Sequence, residues 1–397
     1  MNRSYRKPAR GFALMLTAAL ILGACGGDDD TDETTGAGGG AQSARTYTIG
    51  FVGALTGDNA NLGINIRDGI KVAIEEENRG EGPDIALKEF DTAGDPAQAT
   101  TVKDRFINDR DVIGIVGPAF SGETKALIPS IQEAGLPMIS PSATNKDLPT
   151  VVPNASVFHR VIADDALQAG GVVAYLAKES PRSLVVVHDN TEYGKGLADD
   201  VVKQATEKRI SVARTLTVDP KAQDFSATVN DIRAANPSHI FYGGYYAEAG
   251  RLKKQLTDAG VRATFVSGDG SLDAGFAAAA GAAAAEGARL TCPCNLALES
   301  STGQLKTFYE NFKRTIGKEP GLYSPEAYDA AKILIQGIKA GNTDRAKLLG
   351  FLEGFGRHEG ISKTIEFEPN GNLKSKTFFV FEVKGGKIAP LQQIEVA

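Results

Sequence analysis

Val112-Ile-Gly-Ile-Val116 runs directly into Gly117-Pro-Ala-Phe-Ser121-Gly122. A continuous apolar run of this length is the pattern of a parallel strand covered on both faces. The Gly-Pro pair breaks the strand, and Ser121 is a residue type favoured at helix starts. A buried strand that turns straight into a helix is one βα unit. The same unit recurs on either side of it.

Upstream, Tyr47-Thr-Ile-Gly-Phe-Val52 is a strand, and Ile66, Ile70, Val72 and Ile74 mark a helix that reaches Glu77. Residues 85–90 are a strand and 97–108 a helix. Downstream of the opening strand, 121–134 is helical and Pro137-Met-Ile139 a short strand. The alternation restarts after Ala163, with helices at 165–176, 194–208, 225–235 and 247–259. The strands there are 184–187, 210–216, 240–242 and 264–267. Alternating βα units predict parallel, doubly wound sheets, and two sets predict two similar lobes. Three more helices are expected at 305–315, 326–340 and 344–352. The Ala-rich stretch 276–285 reads as one helix, since Ala has the best intrinsic propensity, although Gly281 weakens it. Strand-like pieces at 364–367 and 377–383 are joined through Pro369-Asn-Gly371, a strong turn signal.

The chain begins with a different signal. Arg3, Arg6, Lys7 and Arg10 precede an apolar stretch, 11–22, too short to span a bilayer, which needs ~20 residues. Leu22-Gly23-Ala24-Cys25 then resembles a bacterial lipobox, in which cleavage leaves the cysteine first and its thiol takes a lipid. Residues 1–24 are therefore expected to be a lipoprotein signal peptide and Cys25 the lipidation site. Residues 25–45, rich in Gly and Asp, can form no apolar face and read as a flexible linker. The body would then sit on the extracytoplasmic face of the membrane, lipid-anchored.

Composition narrows the function classes. The net charge of −6 and the lack of a Lys/Arg run in the body argue against nucleic acid. His159, His188, His239 and His358 are dispersed, with no metal-ligand spacing, so no metal and no cofactor are expected. No Gly-x-Ser-x-Gly elbow, Walker loop or His-Glu-x-x-His is present, which argues against an enzyme. Cys292 and Cys294 flank Pro293. The narrow geometry a disulfide requires favours two separate thiols there.

In doubly wound sheets ligands sit beyond the carboxyl ends of the strands, at helix starts. Ser121 and the N–H groups around it suit an anion such as a carboxylate, or Ser121 simply caps its helix. Ser140-Pro-Ser142-Ala143-Thr144 can offer hydroxyls and open backbone groups, or form an ordinary turn. Tyr193, after His188-Asp-Asn190, and Tyr245, after Gly243-Gly244, can wall a ligand or be half-buried phenols. Asp269, between Gly268 and Gly270, places one carboxylate after a strand. A ligand with both a carboxylate and an ammonium would satisfy the two sets together.

At these residues the chain resembles the leucine/isoleucine/valine-binding proteins, type I periplasmic binding proteins of ABC importers. The resemblance is carried by Ile49-Gly-Phe-Val-Gly-Ala-Leu-Thr-Gly57, Phe90-Asp-Thr-Ala-Gly-Asp-Pro-Ala-Gln98 and Ile139-Ser-Pro-Ser-Ala-Thr144. Val187-His-Asp-Asn-Thr-Glu-Tyr-Gly-Lys-Gly-Leu197 and Phe241-Tyr-Gly-Gly-Tyr-Tyr246 add to it. It covers essentially all of residues 46–397. It implies the type I periplasmic binding protein fold, two doubly wound Rossmann-like lobes joined by three hinge crossovers near Ala163, Cys292 and Phe367. Lobe one would be 46–163 with 293–367, and lobe two 164–292 with 368–397. Ser121 and Thr144 match the positions that hold the amino-acid carboxylate, Ser142 the carbonyl that accepts from the ammonium, and Asp269 its acidic partner. Ala143 is counted with that loop. Tyr193 and Tyr245 match residues that close over the ligand, and Leu62 and Tyr323 fall where the family lines the side-chain pocket. The implied function is capture of an amino acid, branched-chain or otherwise aliphatic, by a monomer that delivers it to permease subunits. The alternative on the same fold is a receptor for an amide, urea or another small polar solute. Leu-binding members often have Glu at Asp269 and Tyr at Leu62, and some have a disulfide pair at Gly94 and Phe120.

Overall fold

The computed structural model describes residues 46–396. The expected signal peptide, Cys25 and the linker lie outside the described residues. Five parallel strands form a first sheet in the order β2-β1-β3-β4-β5. They are β1 (Thr46–Gly53), β2 (Asp84–Asp91), β3 (Val112–Val116), β4 (Met138–Ser140) and β5 (Phe158–Arg160). β3 is buried along its whole length between β1 and β4, as its unbroken apolar run demands.

A second sheet of seven strands has the order β14-β13-β10-β9-β8-β6-β7. Its parallel part is β6 (Leu184–His188), β7 (Val212–Thr217), β8 (His239–Gly243), β9 (Thr264–Ser267) and β10 (Arg289–Cys292). β11 (His358–Glu359) and β12 (Thr364–Ile365) make a separate small ribbon. β13 (Thr377–Lys384) and β14 (Lys387–Glu395) form an antiparallel hairpin, and β13 adds to β10.

Helices cover both sheets. α1 (Ala60–Asn78), α2 (Pro96–Ile107) and α3 (Ser121–Glu133) connect the strands of the first sheet. α4 (Asp165–Glu179), α5 (Glu192–Glu207), α6 (Ser226–Ala235), α7 (Tyr246–Asp258), α8 (Ala274–Ala280) and α9 (Ala282–Ala285) go with the second. α10 (Gly303–Ile316), α11 (Ser324–Lys339) and α12 (Arg345–Glu353) return to the first. There α11 lies along α1, its Ala327, Ala330 and Leu334 in one core with Ile66 and Ile70. The chain thus passes between the sheets after β5, after β10 and again ahead of β13.

Four details differ from the expectations. The Ala-rich segment is two short helices, because Gly281 sits at φ 78°, outside the right-handed helical region. The strand pieces around Asn370-Gly371 do not pair with each other. Their turn exists, with Gly371 N–H donating to Glu368 O at 2.8 Å, but β12 pairs with β11 and β13 with β10 and β14. β5, β10, β11 and β14 are additional strands. Cys292 and Cys294 are joined in a disulfide rather than being two thiols, their Cα atoms 4.9 Å apart.

Candidate functional site

The carboxyl ends of the two parallel sheets face each other across a cleft. Six of the nine expected ligand residues, Leu62, Ser121, Ser142, Tyr193, Tyr245 and Tyr323, line a small, tightly closed cavity there. Ala119, Phe120 and Gly270 complete its lining. Ala143, Thr144 and Asp269 are not among its lining residues, Asp269 standing directly behind Tyr193 and Tyr323, from whose hydroxyls it accepts. The Ala143 side chain packs in the apolar core with Val52, Leu127 and Met138, which leaves only its backbone to face a ligand.

The first wall is made of small groups laced to one another. Gly117 leaves β3 at φ 119°, and a Cβ there would stand 2.3 Å from Val52 O, so only glycine fits. Ser140 Oγ donates to Pro118 O at 2.7 Å and accepts from Ala143 N–H at 3.0 Å. Ser142 Oγ donates to Ala119 O at 2.6 Å, and Asn145 N–H donates to Ser121 Oγ at 3.1 Å. The loops after β3 and β4 are thereby fixed against each other. Thr144 Oγ1 is buried without a partner at hydrogen-bonding geometry, although the Asp165 carboxyl lies near enough to be eased toward ionisation by it. Glu123, in the first turn of α3, accepts from Phe120 N–H at 2.9 Å and from Thr92 Oγ1. Burial lifts its carboxyl to about 7 against the pull of those hydrogen bonds.

The second wall carries an acid among phenols. Asp269 is fully buried. Its Oδ1 accepts from the Tyr193 hydroxyl at 2.6 Å and Gln168 Nε2 at 2.9 Å, and its Oδ2 from the Tyr323 hydroxyl at 2.7 Å. Burial raises its pKa while the three donors hold it down. A carboxylate has about four acceptor positions, so about one stays open on Oδ2. Burial, then the Asp269 charge, pushes the Tyr193 and Tyr323 phenols well up, which keeps them as donors. The Tyr245 ring packs, tilted, between Phe120 at 4.7 Å and Tyr193 at 5.2 Å, joining the two walls. At the start of α7, Glu248 accepts from Tyr245 N–H at 2.6 Å, and burial lifts it to about 8.

Gln168, Asp165 and Phe120 were not among the expected site residues. Gln168 and Asp165 occupy the first turn of α4, a helix start that follows β5, and the strand-end rule would have flagged them had β5 been recognised. Asp165 is a second buried carboxyl, raised well above its ordinary value by burial and by the Asp269 charge.

A family model described as periplasmic binding protein matches residues 46–387. This chain belongs to the periplasmic binding protein family. It is 31% identical over 349 residues to the leucine-, isoleucine-, valine-, threonine- and alanine-binding protein of Pseudomonas aeruginosa, covering 86% of this chain and 91% of that one. It is 30% identical over 355 residues to Leu/Ile/Val-binding protein homolog 3 of Brucella melitensis, covering 87% and 93%. Among solved structures, the branched-chain amino acid substrate-binding protein LivJ of Streptococcus pneumoniae, in complex with isoleucine, superimposes with a TM-score of 0.81. That match has 25% identity and covers 88% of this chain and all of that one (100%). The fold is therefore that of the type I periplasmic binding proteins, as the resemblance implied.

In this periplasmic binding protein the halves are drawn together at the rim of the cleft. Asn61 Nδ2 donates to Asp273 Oδ1 at 3.0 Å and Asn145 Nδ2 to Glu192 O at 2.7 Å. Lys125 pairs with Glu192 at 2.9 Å and Lys146 with Asp200 at 2.8 Å. Among the described residues no helix is long and apolar enough to cross a membrane, and no His, Cys, Asp and Glu cluster could hold a metal.

Proposed function

We propose that this protein is an extracytoplasmic receptor that captures an α-amino acid, branched-chain or otherwise aliphatic, and delivers it to an ABC importer. The observation that carries the reading is the opposition of the two walls. Hydroxyls and a helix start, suited to a carboxylate, face a buried acid with an open acceptor position, suited to an ammonium. Ser121 and Thr144 take the carboxylate. The Ser142 carbonyl and Asp269 take the ammonium, and Leu62, Ala119 and Phe120 give the side chain an apolar surround. The names of the Pseudomonas and Brucella relatives support the aliphatic class.

Residues 46–163 with 293–367 act as one lobe and 164–292 with 368–397 as the other. The ligand binds lobe one first, and Tyr193, Tyr245 and Asp269 arrive with lobe two. Their added contacts are the differential affinity that shifts the open–closed equilibrium. The closed monomer docks on permease subunits and releases its cargo without chemical turnover. Residues 1–24 are removed as a signal peptide, and Cys25 carries the lipid that holds the body at the membrane.

The test is calorimetry on protein unfolded and refolded to strip retained ligand, against the twenty amino acids, urea, acetamide and simple sugars. Binding confined to aliphatic α-amino acids is the expected result. Binding only of urea or amides would overturn the role of Asp269.

A further inference from the structure

Arg160, at the end of β5, is fully buried, and its guanidinium joins three stretches of chain. Nη1 donates to Ala143 O at 3.1 Å and to Asn145 O at 2.9 Å, gripping the backbone on both sides of Thr144. Nε donates to Asn372 Oδ1 at 2.9 Å, in the passage that leads to β13. Nη2 has no hydrogen-bond partner and faces Asp164 Oδ2 at 3.6 Å, in the passage that leads to α4. The Arg160 N–H also donates to Gly371 O at 3.0 Å, and a Cβ on Gly371 would meet Phe158 O at 1.9 Å. The approach of the two passages is thus closed-packed around this side chain.

A buried cation is costly unless its donors are used. Asp164, Asp165 and Glu368 offset part of that cost from a distance, but the close acceptors are neutral oxygens, so no tight ion pair fixes the side chain's orientation. A planar fork that holds several acceptors in fixed directions does. α4 and β13, to which the two passages lead, pack on each other in the second half. The loop 143–145 belongs to the first.

We propose that Arg160 is a positioning residue that couples the Thr144 loop to two of the passages between the halves. Rotation of the second half moves Asp164 and Asn372. Through Arg160 that motion bears on the backbone around Thr144, so that the loop takes its binding geometry when the halves close. The inference rests on the amino-acid reading of the cleft.

The decisive variant is Asn372→Ala. Asn372 does not line the cavity and its side chain bonds Arg160, so a loss of affinity that Arg160→Lys reproduces, and that is read mainly in dissociation, points to this contact. Full-length protein would be compared with Arg160→Lys and Asn372→Ala by calorimetry and stopped-flow dissociation of leucine, with melting temperature measured alongside. Asn372→Ala is expected to weaken binding about tenfold, mostly through faster dissociation, while the melting temperature stays close to wild type. Arg160→Lys, which keeps the charge and loses the fork, should weaken binding as much or more. Wild-type affinity and dissociation in Asn372→Ala would overturn the coupling, whatever the melting temperature does, while leaving the cleft reading intact. Failure of wild-type protein itself to bind any amino acid would instead overturn that reading, and the inference with it.

Discussion

The two walls of the cleft share one device and differ in everything else. In each, a strand ends, a helix begins, and a buried glutamate in the first turn reaches back to a backbone N–H: Glu123 to Phe120 and Glu248 to Tyr245. Beyond that, the first wall is small, neutral and held by hydrogen bonds within its own half, through Ser121, Ser140 and Ser142. The second presents phenols and a carboxylate, and one donor to that carboxylate, Tyr323, stands at the start of α11 in the first half. The first wall is complete by itself. The second is completed only when the halves meet, which suits it to sense closure.

Replacing the acid should break this asymmetry most severely. Asp269→Asn removes the charge and leaves Tyr193 and Tyr323 without their strongest acceptor. A hundredfold loss of amino-acid affinity is expected, about 2.7 kcal/mol, measured by calorimetry. Because burial raises the Asp269 pKa and the ammonium requires the ionised form, wild-type binding should also weaken as pH falls through that raised value.

The shared glutamates predict a stability effect rather than a binding one. Their folded-state values, about 7 for Glu123 and about 8 for Glu248, lie above the ordinary 4.5. The folded state therefore holds protons that the unfolded chain has lost. Their contribution to stability is fully present below about pH 4.5 and is lost as pH rises through about 7 to 8. Glu248→Gln keeps a carbonyl for Tyr245 N–H and cannot ionise. Its unfolding free energy, from chemical denaturation, should fall less than wild type between pH 5 and pH 8, a difference on the order of 3 kcal/mol.

On the first wall, Thr144→Val keeps the shape and removes one hydroxyl. About tenfold weaker binding is expected, with little change in melting temperature. The smallest effect belongs to the rim. Lys125 and Glu192 are both roughly half exposed, so Lys125→Ala should change affinity less than about twofold, and only at low salt.

Much of this architecture could be read from the chain because βα units announce themselves. The run at 112–116 had no polar position to offer solvent and became the central strand of the first sheet. β14 escaped because Lys387–Glu395 mixes Lys, Pro390 and two Gln residues, a pattern tolerated only at a sheet edge. The strand-end rule found Ser121, Ser142, Tyr193 and Tyr245, while Leu62 and Tyr323 came only from the family resemblance. It could not say that Ala143 turns into the core, since a loop has no fixed periodicity. Gln168 meets Asp269 across 101 positions of sequence, and nothing local marks a helix-start glutamine as a partner for a distant acid. Arg160 was hidden likewise, as one cation in a short strand whose acceptors come from three places. The disulfide ran against the general expectation for cysteines so close together, and only the geometry reveals it.

The central claim is that the two walls divide the ligand, carboxylate to the first and ammonium to the second. It is tested most directly by calorimetry with leucine, its deaminated acid 4-methylpentanoate and its decarboxylated amine 3-methylbutylamine. The account predicts tight binding of leucine and at least a hundredfold loss for each of the others. Either half-ligand binding as well as leucine would contradict it.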